Sequence, residues 1–234
     1  MSVSPSNLTA ILLCGGKGER LRPFTDKCPK PLVPVLDKPL LQHLVEFLKG
    51  QQIKRFIFCI GYKAEMIREF VDDSLDCEDI DIELSDLGDA SIAERLIEVS
   101  KDLKGPALVC YGDTIANVRL QDLCSFHNEQ QTDVSVTVFP FKSSFGIVDV
   151  SGQLATGFRE KPDLPYFINI GFFVASPDSL KTIINYSDVT EWMDSLAKKK
   201  KLGAFLHEGK HLTVNTEKER QSAESEIIEL YTLQ

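Results

Sequence analysis

The sequence predicts an α/β fold, a mostly parallel sheet with helices on both faces, and three observations predict it. Short apolar runs alternate with segments of helical periodicity through the first two thirds of the chain. A glycine-rich turn follows the first apolar run, where a strand would hand over to the next element. The 234 residues, 43% hydrophobic and 26% charged, suffice to bury one substantial core.

Residues 8–14 (LTAILLC) read as a buried strand. In residues 39–49 (PLLQHLVEFLK), Leu40, Leu41, Leu44, Val45 and Leu48 share one helical face, and Gly50 is a natural stop. Residues 55–60 (RFIFCI) are a second strand, 63–71 a helix, and 79–84 (DIDIEL) alternate with the period of a strand. A helix over 90–100, a strand over 107–111 and a helix over 120–130 complete a β-α-β-α order, which argues for a parallel sheet. Beyond about residue 132, DVSVTVF, FGIVDV, QLATGFRE and FINIGFFV read as strands joined by short turns. Helices over 179–185 and 190–199, strands near 203–207 and 212–214, and a last helix from Thr216 follow. The four lysines of 198–201 suit a solvated helix end. With no repeat and no linker, residues 1–234 form one expected domain of Rossmann-like type, with an antiparallel insertion covering the sheet's C-terminal edge. Such sheets bind ligands at the C-terminal ends of their strands, which here means after Cys14, after Tyr111 and near the later strands.

Composition excludes several classes. No run of 18 apolar residues lacks a charge, so no membrane span is expected, and the N-terminus has no secretory pattern. The net charge of −9 argues against nucleic acid as a partner. The six cysteines are at least 14 residues apart and three lie in or beside apolar runs, so they read as structural thiols in a cytoplasmic protein. His43 and His127 fall on helices as surface or packing residues, and Trp192 reads as core.

An anion must therefore be held locally. Lys17, Arg20, Arg22, Lys27 and Lys30 face only Glu19 and Asp26 within residues 17–30. Gly15, Gly16 and Gly18 let the backbone turn tightly and bring its N–H groups near an anion, although the loop is neither Walker A nor GxGxxG. A bare glycine turn is the alternative. Prolines on both sides of Lys30 stiffen its loop and suit it to be a fixed point charge for phosphate.

The segment LLCGGKGERLRPFTDKCPKPLVPVLDKP resembles the signature of the sugar-1-phosphate nucleotidyltransferases, GGxGxRLxP followed by PKP. Tyr111-Gly112-Asp113, Glu160-Lys161-Pro162 and Asn169-Ile170-Gly171 extend the resemblance over about residues 8–220. The part from YGD to FINIGFFV is most similar to glucose-1-phosphate cytidylyltransferases, and the part from PKP to IGYKAEMI is similar also to heptose- and mannose-1-phosphate guanylyltransferases.

The resemblance implies transfer of a nucleotidyl group from a nucleoside triphosphate, CTP ahead of GTP, to a hexose-1-phosphate, with pyrophosphate leaving. It implies a nucleotide-binding half over about 8–131 and a sugar-phosphate-binding half over about 132–220. Arg20 would hold the β- and γ-phosphates, Lys30 the α-phosphate and Lys161 the sugar phosphate. Gly15, Gly16 and Gly18 would line the nucleotide, and Gly88 the base, with Asp86 or Asp89 accepting from an exocyclic amino group. Glu160 and Asn169, with Gly171 in the same motif, would meet the sugar. Mg²⁺ would sit on Asp113 and on Asn215, which stands where relatives carry an aspartate; the alternative for Asn215 is an N-cap of the last helix. Thr114 stands where cytidylyl enzymes often have glycine. No C-terminal β-helix is expected, and a homo-oligomer is compatible with the resemblance. The alternatives are a heptose- or mannose-1-phosphate guanylyltransferase, a nucleotide-sugar-binding regulatory subunit, and transfer to a non-sugar phosphate.

Overall fold

The computed structural model describes residues 2–232, except for the side chains of residues 228, 229, 231 and 232. Its elements run β1 (Thr9–Leu13), α1 (Phe24–Lys27), β2 (Pro34–Val35), β3 (Lys38–Pro39), α2 (Leu40–Gly50), β4 (Arg55–Ile60) and α3 (Ala64–Asp73). They continue with β5 (Asp81–Asp86), α4 (Ile92–Ser100), β6 (Ala107–Tyr111), β7 (Thr114–Ala116), α5 (Leu120–Gln130), β8 (Val134–Lys142), β9 (Ile147–Ser151) and β10 (Leu154–Arg159). The chain closes with β11 (Asp163–Ala175), α6 (Pro177–Lys181), α7 (Val189–Lys198), β12 (Leu202–Leu206), β13 (His211–Thr213) and α8 (Glu217–Thr232).

Seven strands form the central sheet in the order β12-β8-β11-β6-β1-β4-β5. All the pairings among β6, β1, β4 and β5 are parallel, as is β12 with β8, and β11 runs against both its neighbours. The sheet thus draws strands from both halves of the sequence. The antiparallel insertion is the separate two-stranded sheet of β9 and β10.

Alternation along the buried strands sends neighbouring residues to opposite faces. Ala10, Leu12, Phe56 and Phe58 pack with Leu44, Leu48, Ile67 and Leu123 from α2, α3 and α5. Ile11, Ile57, Cys59 and Val109 pack on the other face with Leu96, Val99, Leu180 and Trp192 from α4, α6 and α7. A third cluster lies under α8, where Ala223, Ile227 and Leu230 cover Val33, Ile115, Leu212 and Val214. Trp192 is fully buried and donates to Thr182 Oγ1 at 2.9 Å, so its indole N–H is satisfied inside the core.

Two local features differ from the expectation. The helix expected over 179–185 is the short α6 followed by a 3-10 turn over Thr182–Asn185. Residues 114–116 form an unforeseen strand, β7, which pairs antiparallel with β13 through Thr114↔Thr213 and Ala116↔His211. That pairing draws the segment entering α8 to the end of β6. The register Leu13↔Tyr111 and Leu13↔Cys59 ends β1, β6 and β4 level, so the loops that follow them emerge side by side. Among the described residues, no helix is long and apolar enough to cross a membrane.

Candidate active site

A cavity of about 620 Å³ opens at the C-terminal ends of β1 and β6. Gly15, Gly16, Gly18, Arg20, Lys30 and Asp113 all line it, as do Asp89, Ala90, Arg95 and Tyr111. At Gly18 the chain takes the left-handed conformation (φ 62°), and a Cβ there would stand 3.0 Å from both Lys30 and Thr25. This turn starts the 3-10 segment that presents Arg20. Arg20 is exposed at the cavity, whereas its neighbour Arg22 pairs with Asp26 at 3.4 Å.

Lys30 begins a 3-10 turn between Pro29 and Pro31, and only 7% of the residue is exposed. Its ammonium donates to Asp113 Oδ2 at 2.6 Å and to Asn215 Oδ1 at 2.8 Å. A buried ammonium costs free energy unless it is paired, and these two oxygens pair it. Asn215 is not the cap of α8. Thr216 takes that role, with its Oγ1 accepting from Glu219 N at 3.2 Å, which leaves the Asn215 amide oxygen to Lys30. Asp113 also accepts from Thr114 Oγ1 at 3.3 Å. Beside it, burial and then the Asp113 charge push the Tyr111 hydroxyl above its usual range.

Of the two aspartates proposed for the base, Asp89 lines the cavity and pairs with Lys17 at 2.9 Å. Asp86 instead accepts from Gly88 N at 3.0 Å and from Arg68 at 2.9 Å. The Gly88 N–H and the Arg68 guanidinium hold its carboxyl below the usual range. Gly88 itself lies beside the cavity rather than among its lining residues, and its carbonyl accepts from Arg95 at 2.5 Å.

Arg95 was missed in the sequence. It projects from the first turns of α4, is 3% exposed, and gathers three carbonyls: Ala90 O at 3.2 Å, Gly88 O and Ile60 O. A Cβ on Gly15 would collide with its guanidinium, so the absence of a side chain at Gly15 is what lets the cation sit under the loop. The readable signal was an arginine among Ala93, Leu96 and Val99, the apolar face of an amphipathic helix.

The residues expected to meet the sugar phosphate stand elsewhere. Glu160 and Lys161, 4.0 Å apart with side chains 65% and 59% exposed, lie on the connection from β10 to β11, outside the cavity lining. Lys161, expected to hold the sugar phosphate, is therefore not brought to the cavity that Arg20, Lys30 and Asp113 line. Lys161 follows a β9–β10 hairpin that shares no ladder with the central sheet, and it precedes β11 on the exposed connection between them. Asn169 Oδ1 accepts from Gly171 N at 2.9 Å, which fixes the amide across a local turn. Gly171 (φ 79°) packs where a Cβ would strike the Tyr111 ring, which ties β11 to the cavity wall.

Two oxygens that already hold a cation suit a hard divalent ion, which takes one or two protein oxygens and completes its shell with water and phosphate. Among the described residues no group of three or more His, Cys, Asp or Glu could hold a metal by themselves. The six cysteines are free thiols, and burial pushes Cys14 and Cys110 well above the usual thiol range.

Residues 9–220 match the Nucleotidyl transferase family. The glucose-1-phosphate cytidylyltransferase of Salmonella typhi is 31% identical over 231 residues, covering 86% of this chain and 89% of that one. The D-glycero-alpha-D-manno-heptose 1-phosphate guanylyltransferase of Campylobacter jejuni is 35% identical over 157 residues, covering 66% and 69%. The structure of HddC from Yersinia pseudotuberculosis complexed with GMP-PN superposes with a TM-score of 0.73 at 19% identity, over 94% of this chain and 99% of that one. The chain belongs to the nucleotidyl transferase family and is an enzyme of the sugar-1-phosphate nucleotidyltransferase type.

Proposed function

We propose that this enzyme transfers a cytidylyl group from CTP to a hexose-1-phosphate, releasing pyrophosphate. The carrying observation is the buried Lys30 ammonium, set between Asp113 and Asn215 on the wall of a cavity floored by the glycine loop. A phosphate monoester has its second pKa near ~6 and attacks as the dianion, so the reaction needs no general base. It needs two polyanions brought into line, which is a matter of placed positive charge.

Arg20, exposed at the cavity and without an ion pair among the described residues, suits the β- and γ-phosphates, because its planar fork can bond two oxygens at once. Lys30 is placed for the α-phosphate once it leaves Asp113. Gly15, Gly16 and Gly18 would line the nucleotide, with Asp89 at the base end. Asp113 and Asn215 would hold Mg²⁺, which supplies charge neutralisation at the transferring phosphoryl group when bound. Glu160, Lys161, Asn169 and Gly171 form the sugar-phosphate half, and Lys161 must approach the cavity for the reaction. The Salmonella relative supports CTP and glucose-1-phosphate. The Campylobacter relative supports the second reading, GTP with a heptose-1-phosphate.

The test is pyrophosphate release from each nucleoside triphosphate paired with a panel of sugar-1-phosphates in the presence of Mg²⁺. CTP with glucose-1-phosphate is expected to give the highest kcat/KM. Faster turnover of GTP with a heptose- or mannose-1-phosphate overturns the base and sugar assignment, and saturable nucleotide-sugar binding without release from any pair overturns the catalytic one.

A further inference from the structure

The loop that joins β5 to α4 borders the cavity, and its backbone is held from several sides. Asp86 Oδ1 accepts from Gly88 N at 3.0 Å, and the buried Arg95 guanidinium binds both Gly88 O and Ala90 O. Ser91 Oγ caps α4 by accepting from Glu94 N at 3.2 Å. The glycine loop, which lines the same cavity, is held likewise. Gly15 O accepts from Tyr62 N at 3.2 Å and Gly18 O from Thr25 Oγ1 at 3.0 Å. Between these anchors Lys17 and Asp89, 72 residues apart in the chain, reach across and pair, Nζ to Oδ2 at 2.9 Å. The two side chains are 50% and 83% exposed, and an ion pair this open adds little to the stability of a fold. Both loops are fixed without it. What the pair fixes is a carboxylate at the cavity: an aspartate so exposed samples several rotamers, and Lys17 selects one. Oδ2 is then engaged, while Oδ1 carries no hydrogen bond among the described residues.

We propose that Lys17 is a positioning residue that sets Asp89 against the nucleobase and so makes the cavity select bases carrying an exocyclic amino group. This rests on the reading of the cavity as a nucleotide site with its base end at Asp89. An ionised carboxylate only accepts hydrogen bonds. The amino group of cytosine or guanine donates to Oδ1, whereas uracil and thymine put a carbonyl oxygen where cytosine has its amino group, and two acceptors repel. The Lys17 ammonium also offsets the Asp89 charge, which would otherwise oppose an incoming triphosphate. Lys17 thus acts through Asp89 and not on the reacting atoms.

Isothermal titration calorimetry with Mg²⁺ and no sugar phosphate tests this by comparing CTP with UTP, and GTP with inosine triphosphate, which lacks only the guanine amino group. In the wild type the amino-bearing member of the preferred pair is expected to bind about tenfold tighter or more, as suits a hydrogen bond to a charged acceptor. Lys17→Met is expected to cut that ratio by about three- to tenfold, Asp89→Ala to bring it near one, and Lys17→Arg to restore it. The Lys17→Met, Asp89→Ala double variant should match Asp89→Ala alone, because both changes remove the same contact. All these variants replace exposed side chains and should fold as the wild type does. If Lys17→Met weakens all four nucleotides equally and leaves the ratio intact, Lys17 serves only as a charge, and the proposal fails while the nucleotide reading stands. A wild type that binds UTP and inosine triphosphate as tightly as their amino-bearing counterparts overturns the proposal together with the base role of Asp89. Absence of binding by every triphosphate overturns the nucleotide reading itself and the proposal with it.

Discussion

The Lys30 ammonium stands 2.6 Å from Asp113 Oδ2, with only 8% of its side chain exposed. It fills the oxygen pair that a divalent ion would need, and two cations in one small cavity repel strongly. The ligand-free protein should therefore bind divalent metal weakly until a triphosphate draws Lys30 away. Replacing Lys30→Met is expected to tighten Mn²⁺ binding to the nucleotide-free protein by about tenfold, since ~1.4 kcal/mol is a modest share of a close charge repulsion. The same change should lower turnover by about 100-fold or more, the usual cost of losing a donor to transition-state charge. Titration by electron paramagnetic resonance reads the affinity; no gain in Mn²⁺ binding would show that Lys30 does not compete for these oxygens.

Asn215 brings an oxygen without a charge to the same place. Asn215→Asp adds one, and should lower the Mg²⁺ concentration for half-maximal pyrophosphate release by about three- to tenfold. Asn215→Ala should raise it. If the alanine variant keeps the wild-type Mg²⁺ dependence, Asn215 serves only to seat Lys30.

The central sheet was legible because its strands are apolar runs bounded by turns, and the helices because their periodicity is clean. Residues 120–130 were read with the bounds the structure gives α5. What could not be read was tertiary. The strand β7 is three residues long, too short for periodicity, and it exists through its pairing with β13, about a hundred residues later. That pairing brings Asn215 to Lys30, a proximity the sequence motif only implied. Arg95 hid in a helix whose spacing spoke of packing. Lys161 went the other way: its motif resembled a site residue, but its exposed side chain is not among those that line the cavity.

Gly15 and Arg95 should behave as one unit. A methyl at Gly15 would collide with the guanidinium and push it from its three carbonyls. Each buried acceptor left without a donor costs about 1–3 kcal/mol. Gly15→Ala and Arg95→Met should each destabilise the fold by roughly 2–4 kcal/mol in urea unfolding. The double variant should lose clearly less than the sum, because both changes remove the same contacts. Additive losses would mean that Gly15 is required for some other reason.

Acid should weaken the fold through its histidines. Burial, with a smaller contribution from His207, drives His211 down to about 4. Its ring lies 5.5 Å from that of Phe139, against which a charged imidazolium would be poorly hydrated. Burial lowers His43, His127 and His207 as well. In the unfolded chain a histidine takes up its proton near ~6.5. Between that pH and about 4 the unfolded state therefore binds more protons than the native state at His211, so stability is complete above the window and falls as the pH drops through it. One such group can contribute a slope of at most about 1.4 kcal/mol per pH unit. Urea midpoints at about pH 7 and about pH 5 should show the decline, and His211→Gln, which has no proton to gain, should flatten it. An equal slope in the variant would place the acid sensitivity on other groups.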